Sequence, residues 1–255
     1  MRTSNPALSE SAFNRLGQTE GGFTTSAPYI QTGVFTVEGA IYKTGLLLAI
    51  LIAAGVAAGI LVPVSAYLPV LIGCSIVGLV MVLGISFKPN LAPTLAPVYA
   101  VVEGALLGVI TVLIESQPGL DDIATQAVLG TVGVLAVMLT LYKTGVIKVT
   151  QRFRMVVMAA TGAIFVTYLA SFILGFFGIN FGFLHGNSLL SIGISLVIIG
   201  VAALNLALDF DFIERAAAAG LPSKTEWYAA FGLLVTLVWL YLEILRLLAK
   251  LQSRD

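Results

Sequence analysis

At 255 residues the chain is long enough for one or two soluble domains, but its composition excludes them. Hydrophobic residues make up 58% of the sequence and charged residues only 10%, whereas soluble domains carry about 25% charged residues. With a mean hydropathy of +1.02, many apolar side chains must face lipid. The formal net charge is zero and there is one cysteine, so neither nucleic-acid binding nor a disulfide framework is expected. The chain is predicted to be an integral membrane protein.

The first 40 residues are polar, and we expect them to form a mostly disordered cytoplasmic tail without a fold of its own. No apolar stretch follows the first positive charge, so a cleaved secretory signal is not expected. The membrane domain is predicted to cover residues 41–250, and residues 251–255 are expected to form a short tail.

Seven apolar runs follow the tail, separated by prolines, glycines and charged residues. A helix needs about 20 residues to cross the hydrocarbon core, and each run approaches that length. The strict alternation typical of barrel strands is absent from the sequence. The predicted fold is an all-α bundle of seven transmembrane helices. The runs are 44–62, 68–86, 97–114, 123–142, 155–177, 189–208 and 227–248.

The basic residues predict the orientation of this bundle, because cytoplasmic segments carry the excess of Lys and Arg. With the N-terminus inside, the inner segments hold ten of the thirteen basic residues and the outer C-terminal tail holds three. We therefore predict the N-terminus inside the cell and the C-terminus outside. The acidic outer loop around residues 115–122 has two possible roles. Its charges are either simply solvated, or they attract cations to the outer mouth of a pathway.

Two of the predicted helices carry glycines four residues apart, Gly55 with Gly59 and Gly104 with Gly108. Small residues at this spacing allow helix backbones to approach closely in a membrane. The pattern predicts close helix packing and carries no functional information.

Ionisable side chains inside the membrane cost about 2.5–3.5 kcal/mol each on insertion scales, so they are candidate functional residues. Glu103 lies six residues after Pro97 and Asp209 lies six residues before Arg215. At 1.5 Å per residue both acids lie about 9 Å from the inner surface, on helices of opposite direction. We expect them to face one another and to share one proton near neutral pH. The structural alternative is that Glu103 hydrogen-bonds backbone groups freed by Pro93 and Pro97, while Asp209 caps its helix or pairs with Arg215.

Two further acids have structural explanations in the sequence. Asp211 and Arg215 are four residues apart on one helical face, which predicts an ordinary ion pair. Glu243 is expected near the outer surface beside Arg246, where an interfacial ion pair is the main interpretation. Asp211 remains a candidate member of the ion-sensing site, and Glu243 a secondary one.

No catalytic motif is evident, and we expect the protein not to be an enzyme. The single histidine, His185, lies in an outer loop, so neither a histidine-based metal site nor a Ser–His dyad is expected. Lys250 is expected beyond the membrane, which leaves no buried Schiff-base lysine on the last helix. No cofactor is predicted, apart from transient Ca²⁺.

Three segments resemble the transmembrane Bax-inhibitor-motif family, in its bacterial branch. They are VEGALLG at 102–108, LDFDFIE at 208–214, and the last helix from EWY at 226–228 to WLYLEILRLL at 239–248. Their order, spacing and helix count carry the resemblance, which covers about residues 41–250 and leaves out the polar tail.

The resemblance implies a central last helix and a pH-sensitive calcium leak, closed by an acid on the sixth helix that pairs with one on the seventh. Asp209 occupies the sixth-helix position. Alignment on Trp227 places Thr236 or Val235 at the seventh-helix position, whereas the local Leu-Tyr-Leu-acid match indicates Glu243. We favour the first alignment, because Glu243 lies too far along its helix to meet Asp209. The arginine that relatives carry on the second helix is absent.

Two hypotheses of different classes follow. The first is a protonation-gated leak for calcium or another cation in a bacterial plasma membrane, because hard oxygen ligands suit Ca²⁺. The second is a non-conducting regulator that binds a membrane protease or another membrane-protein partner. A secondary transporter is less favoured, because no inverted repeat is evident.

Overall fold

The computed structural model describes residues 33–120, 122–175, 177, 186 and 188–253. The predicted all-α fold is confirmed: in this part of the chain, seven helices are long and apolar enough to cross a membrane. Short 3₁₀ turns at Val64–Ala66 and Pro89–Leu91 precede the second and third helices. The helices are α1 (Val37–Leu61), α2 (Tyr67–Phe87), α3 (Ala92–Glu115), α4 (Ile123–Lys143), α5 (Gln151–Gly175), α6 (Leu189–Ala218) and α7 (Thr225–Gln252). The orientation of the termini remains a prediction.

Helix α1 begins at Val37, seven residues before the start of the predicted run. Thr36 caps it, because its side-chain oxygen accepts a hydrogen bond from the Gly39 N–H at 3.0 Å. Residues 37–40, which were assigned to the tail, therefore form the first turn of α1. Residues 1–32 of the predicted tail lie outside the described residues.

Helix α3 begins at Ala92, five residues before the predicted run at 97–114, so Pro97 does not lie in its first turn as the run predicted. Pro93 takes that position, where a missing N–H costs nothing. Pro97 lies inside the helix, and the N–H that it lacks would have bonded the carbonyl of Pro93 in the first turn.

Helix α6 continues ten residues beyond its predicted end at Leu208, to Ala218. Asp209 and Asp211 lie within this helix, as their expected depth and spacing required. The chain leaves the helix at Gly220, whose φ of +62° is a left-handed conformation that suits glycine. The Phe35 N–H then bonds the carbonyl of Leu221 at 2.7 Å, which ties the segment before α1 to the α6–α7 loop.

The last helix lies at the centre of the bundle, as the resemblance implied. Helix α7 packs against α1, α3, α4 and α6, and it has buried residues along its whole length. In contrast, Val157 is the one side chain of α5 classed as buried among those described. The bundle thus has a central helix, α7, and a peripheral one, α5, which packs chiefly against α6.

The predicted glycine packing is present, and the two glycine pairs meet each other in the extensive interface of α1 with α3. A Cβ atom at Gly108 would overlap the carbonyl oxygen of Gly55, and one at Gly104 would overlap that of Leu51. Only glycine permits this separation of the two backbones.

Candidate functional site

Asp209 lies on α6 and faces α7. The Asp209 Oδ1 atom is 3.7 Å from the position that a Cβ atom would take at Gly232. The hydroxyl of Thr236, one turn further along α7, lies beside the same carboxylate and also donates to the Gly232 carbonyl at 3.2 Å. The Oδ2 atom is inaccessible and has no hydrogen-bond partner. Thr236, rather than Glu243, is therefore the α7 residue that meets Asp209.

Glu103 lies on α3 and faces α2. Its side chain is buried, and Oε2 is 2.9 Å from the position that a Cβ atom would take at Gly78. Tyr99 and Cys74 lie within electrostatic range of the carboxylate. No hydrogen bond from Glu103 to backbone near Pro97 is found in the described part of the chain, although the structural alternative predicted one. The carboxylate occupies space that a side chain at residue 78 would fill.

The structure does not bring Glu103 and Asp209 together. Glu103 lies in the α2–α3 interface and Asp209 in the α6–α7 interface, and α7 packs against both α3 and α6. Within the described residues, no hydrogen bond or ion pair joins the two carboxylates. The sequence placed them at one depth, but depth does not determine the direction in which each side chain projects from its helix axis.

Asp211 forms the ion pair that its spacing predicted, and a second one. Arg215 Nη2 lies 2.6 Å from Asp211 Oδ2, so Arg215 pairs with Asp211 and not with Asp209. Arg154 Nη2 on α5 lies 2.9 Å from the same oxygen. Asp211 therefore joins α5 to the C-terminal part of α6, with its charge compensated.

Glu243 pairs with Arg246 at 2.8 Å, as expected, and the residue is buried among its neighbours, with only 1% of it exposed. The hydroxyl of Tyr168 on α5 donates to the same oxygen, Oε1, at 2.8 Å and accepts from Arg246 Nη1 at 2.7 Å. The guanidinium also lies over the Tyr168 ring, 5.1 Å from its centre. Glu243 Oε2 has no hydrogen-bond partner.

Lys250 is also buried and lies on α7, which corrects the expectation that the last helix carries no buried lysine. It is 5% exposed, and its Nζ atom donates to Ser195 Oγ on α6 at 2.9 Å. Helix α7 extends through Gln252, two residues past this lysine. The aliphatic part of a lysine can pack among apolar residues while its ammonium group meets a polar partner.

Glu226, which sequence reasoning treated only as part of a motif, forms a polar cluster at the start of α7. The ammonium group of Lys43 on α1 pairs with its Oε2 atom. The backbone N–H of Thr36 donates to Oε1 at 2.8 Å. Lys43 also lies 5.6 Å from the ring centre of Trp227. This cluster fixes the start of α1 against α7, and the charge of Glu226 is compensated.

No group of three or more His, Cys, Asp or Glu side chains that could hold a metal ion occurs within the described ranges. His185 lies outside those ranges. Neither the buried Glu103 nor Asp209, whose Oδ2 atom is inaccessible, has a basic partner in the described structure, so a cation would meet them at separate places.

The sequence matches the family described as Bax inhibitor 1 like over residues 5–253. The match extends into the polar N-terminal segment, which the resemblance had left out. No curated protein matches the chain. With nearly the whole sequence matched and seven apolar helices in place, this integral membrane protein belongs to the Bax inhibitor 1 like family.

Proposed function

We propose that this protein is a cation leak pathway, with calcium as the permeant ion, controlled by protonation of Asp209. The observation that carries the proposal is the Asp209 carboxylate itself, which has an inaccessible oxygen without a hydrogen-bond partner. Ionisable groups in such positions are expensive and are retained where they serve a function. Asp211, Glu226 and Glu243, in contrast, all have a basic partner.

Two properties of the site suit gating by a proton. The protonated acid can remain between α6 and α7 at low cost, with Thr236 and Gly232 as its neighbours. The ionised acid requires water or a cation, because no basic side chain pairs with it in the described structure. Ionisation would therefore favour a state in which the α6–α7 interface admits solvent and ions.

Glu103 has a separate part in this proposal. It cannot share a proton directly with Asp209, because the two carboxylates lie in different helix interfaces. We assign the pH response to Asp209 alone, with Thr236 as its hydrogen-bonding neighbour. Glu103 is proposed as an independent buried acid that stabilises the α2–α3 contact in its protonated form.

Calcium flux through the purified protein in proteoliposomes, measured from pH 6 to pH 8, tests the proposal. We expect Asp209→Asn to abolish the pH dependence, because the amide does not titrate. Glu214→Gln is the matched control on α6, since Glu214 is exposed and should leave the pH–flux curve unchanged. Glu103→Gln is expected to leave the midpoint of that curve in place.

An unchanged pH–flux curve for Asp209→Asn would remove the gating mechanism. Absence of flux from the purified parent protein would remove the leak itself and favour the non-conducting regulator, for which capture of a membrane-protein partner is the next measurement. We also propose a bacterial plasma membrane as the location, with the N-terminus inside. Cysteine labelling of the two termini in intact cells would test the orientation.

A further inference from the structure

Three polar residues of α5 lie seven residues apart and face the rest of the bundle: Arg154, Thr161 and Tyr168. Seven residues span about 10 Å of helix, so the three are evenly spaced along one face. Arg154 bonds Asp211 on α6 at 2.9 Å. Thr161 Oγ1 accepts a hydrogen bond from Asn205 Nδ2 on α6 at 2.8 Å. Tyr168 donates to Glu243 on α7 at 2.8 Å. We call these three contacts the polar seam.

The apolar attachment of α5 is weak by comparison. Val157 is the one side chain of α5 classed as buried among those described, whereas helices in membranes associate largely through close packing. The C-terminal half of α5 and the N-terminal half of α6 line a cavity of about 680 Å³, whose walls include Thr167, Tyr168 and Ile194. The polar seam therefore supplies much of the attachment of α5 to the bundle.

The polar seam lies next to the Asp209 site. Asn205 precedes Asp209 by four residues on α6, and Glu243 follows Thr236 by seven residues on α7. These separations are about one helical turn and two turns, so Asn205 and Glu243 share helix faces with Asp209 and Thr236. Displacement of α5 would uncover the α6–α7 surface next to the Asp209–Thr236 contact, on the side away from the α6–α7 loop.

We propose that α5 is the moving helix of the leak: it separates from α6 and α7 at the polar seam and opens a hydrated route to Asp209. This inference rests on the proposed leak function. It requires no change in the glycine-packed α1–α3 interface. Polar contacts suit such a movement, because their donors and acceptors can exchange partners with water, whereas buried apolar surface would have to be exposed.

The first test removes one hydroxyl from the polar seam. Tyr168→Phe should increase calcium flux at fixed pH by at least about fivefold, because the hydroxyl makes two hydrogen bonds to α7 and one net hydrogen bond is worth about a factor of five. The matched control is Tyr142→Phe, because the Tyr142 hydroxyl donates to Glu214 at 2.7 Å and joins α4 to α6, outside the polar seam. Equal flux in the two variants would overturn the inference.

The second test fixes α5 in place and does not depend on the folding of Tyr168→Phe. Thr161→Cys and Asn205→Cys are combined in a Cys74→Ser background and bridged with a short, reversible bis-thiosulfonate reagent. Flux should fall at least tenfold on bridging and return after reduction, while the two single-cysteine variants should not respond. Undiminished flux through protein that mass spectrometry shows to be bridged would overturn the movement of α5.

The two proposals fail differently. If Asp209→Asn changes the flux but bridging α5 to α6 does not, the proposed function stands and the movement of α5 is overturned. Absence of flux from the parent protein removes the leak, and the movement of α5 as its gate is then overturned as well.

Discussion

Helices α1 and α3 meet backbone to backbone, whereas α5 meets α6 and α7 through three polar side chains. In the first interface, glycines at 55, 104 and 108 allow carbonyl oxygens of one helix to approach the other helix directly. In the second, Arg154, Thr161 and Tyr168 reach across to charged and amide partners. One bundle therefore holds a tightly packed helix pair beside a helix whose contacts can exchange with water.

The largest expected effect comes from crowding the tight interface. Gly108→Leu should lower the free energy of unfolding by more than about 3 kcal/mol, above the usual range for overpacking, because the opposing atom is backbone and cannot turn aside. Its control is Gly133→Leu on α4, where a Cβ atom would have no neighbour within 4 Å. Thermal unfolding in detergent measures the stability of both variants. Similar unfolding midpoints would contradict a backbone contact between Gly108 and Gly55.

An intermediate effect is expected where the polar seam meets α7. Arg246→Gln should cost about 3 kcal/mol, because it leaves the buried Glu243 carboxylate without its basic partner. The double variant Glu243→Gln with Arg246→Gln should recover most of that loss, since no uncompensated charge remains. A double variant less stable than Arg246→Gln would show that the ion pair is not the source of the stability.

The smallest effect is expected at the Glu103 carboxylate. Gly78→Ala places a Cβ atom 2.9 Å from Glu103 Oε2, and because this oxygen ends a flexible side chain, we expect a loss of only about 1 kcal/mol. Gly73→Ala is the matched control on α2, since its Cβ atom would meet nothing within 4 Å. Combining Gly78→Ala with Glu103→Ala should abolish the difference in unfolding midpoint if the carboxylate is the obstacle.

Glycines also accompany the buried acids, which the spacing of Gly55 and Gly59 alone did not indicate. Glu103 lies against Gly78, Asp209 against Gly232, and Glu226 against Gly39. A Cβ atom at Gly78 or Gly39 would overlap the facing carboxylate, whereas one at Gly232 would make an ordinary van der Waals contact with Asp209. A glycine that faces an acid on another helix can be recognised only when it is known which helices pack together. The sequence does not give that information.

Several contacts around the site could be predicted from the sequence. The ion pair of Asp211 with Arg215 followed from their four-residue spacing, and the pair of Glu243 with Arg246 from their closeness on one helix. Both are local contacts, which helix geometry determines. The seven-residue spacing of Arg154, Thr161 and Tyr168 was visible as well, but without the identity of the facing helices it had no interpretation.

Hydrophobicity alone determined that the chain crosses a membrane seven times, because apolar runs of sufficient length are stable as helices in lipid whatever their neighbours are. The tertiary structure decided which acids have partners: it separated Glu103 from Asp209, buried Glu243 and Lys250, and placed Thr236 beside Asp209. The physical reason is that length and depth are properties of one helix, whereas the direction of a side chain matters only once other helices are packed around it.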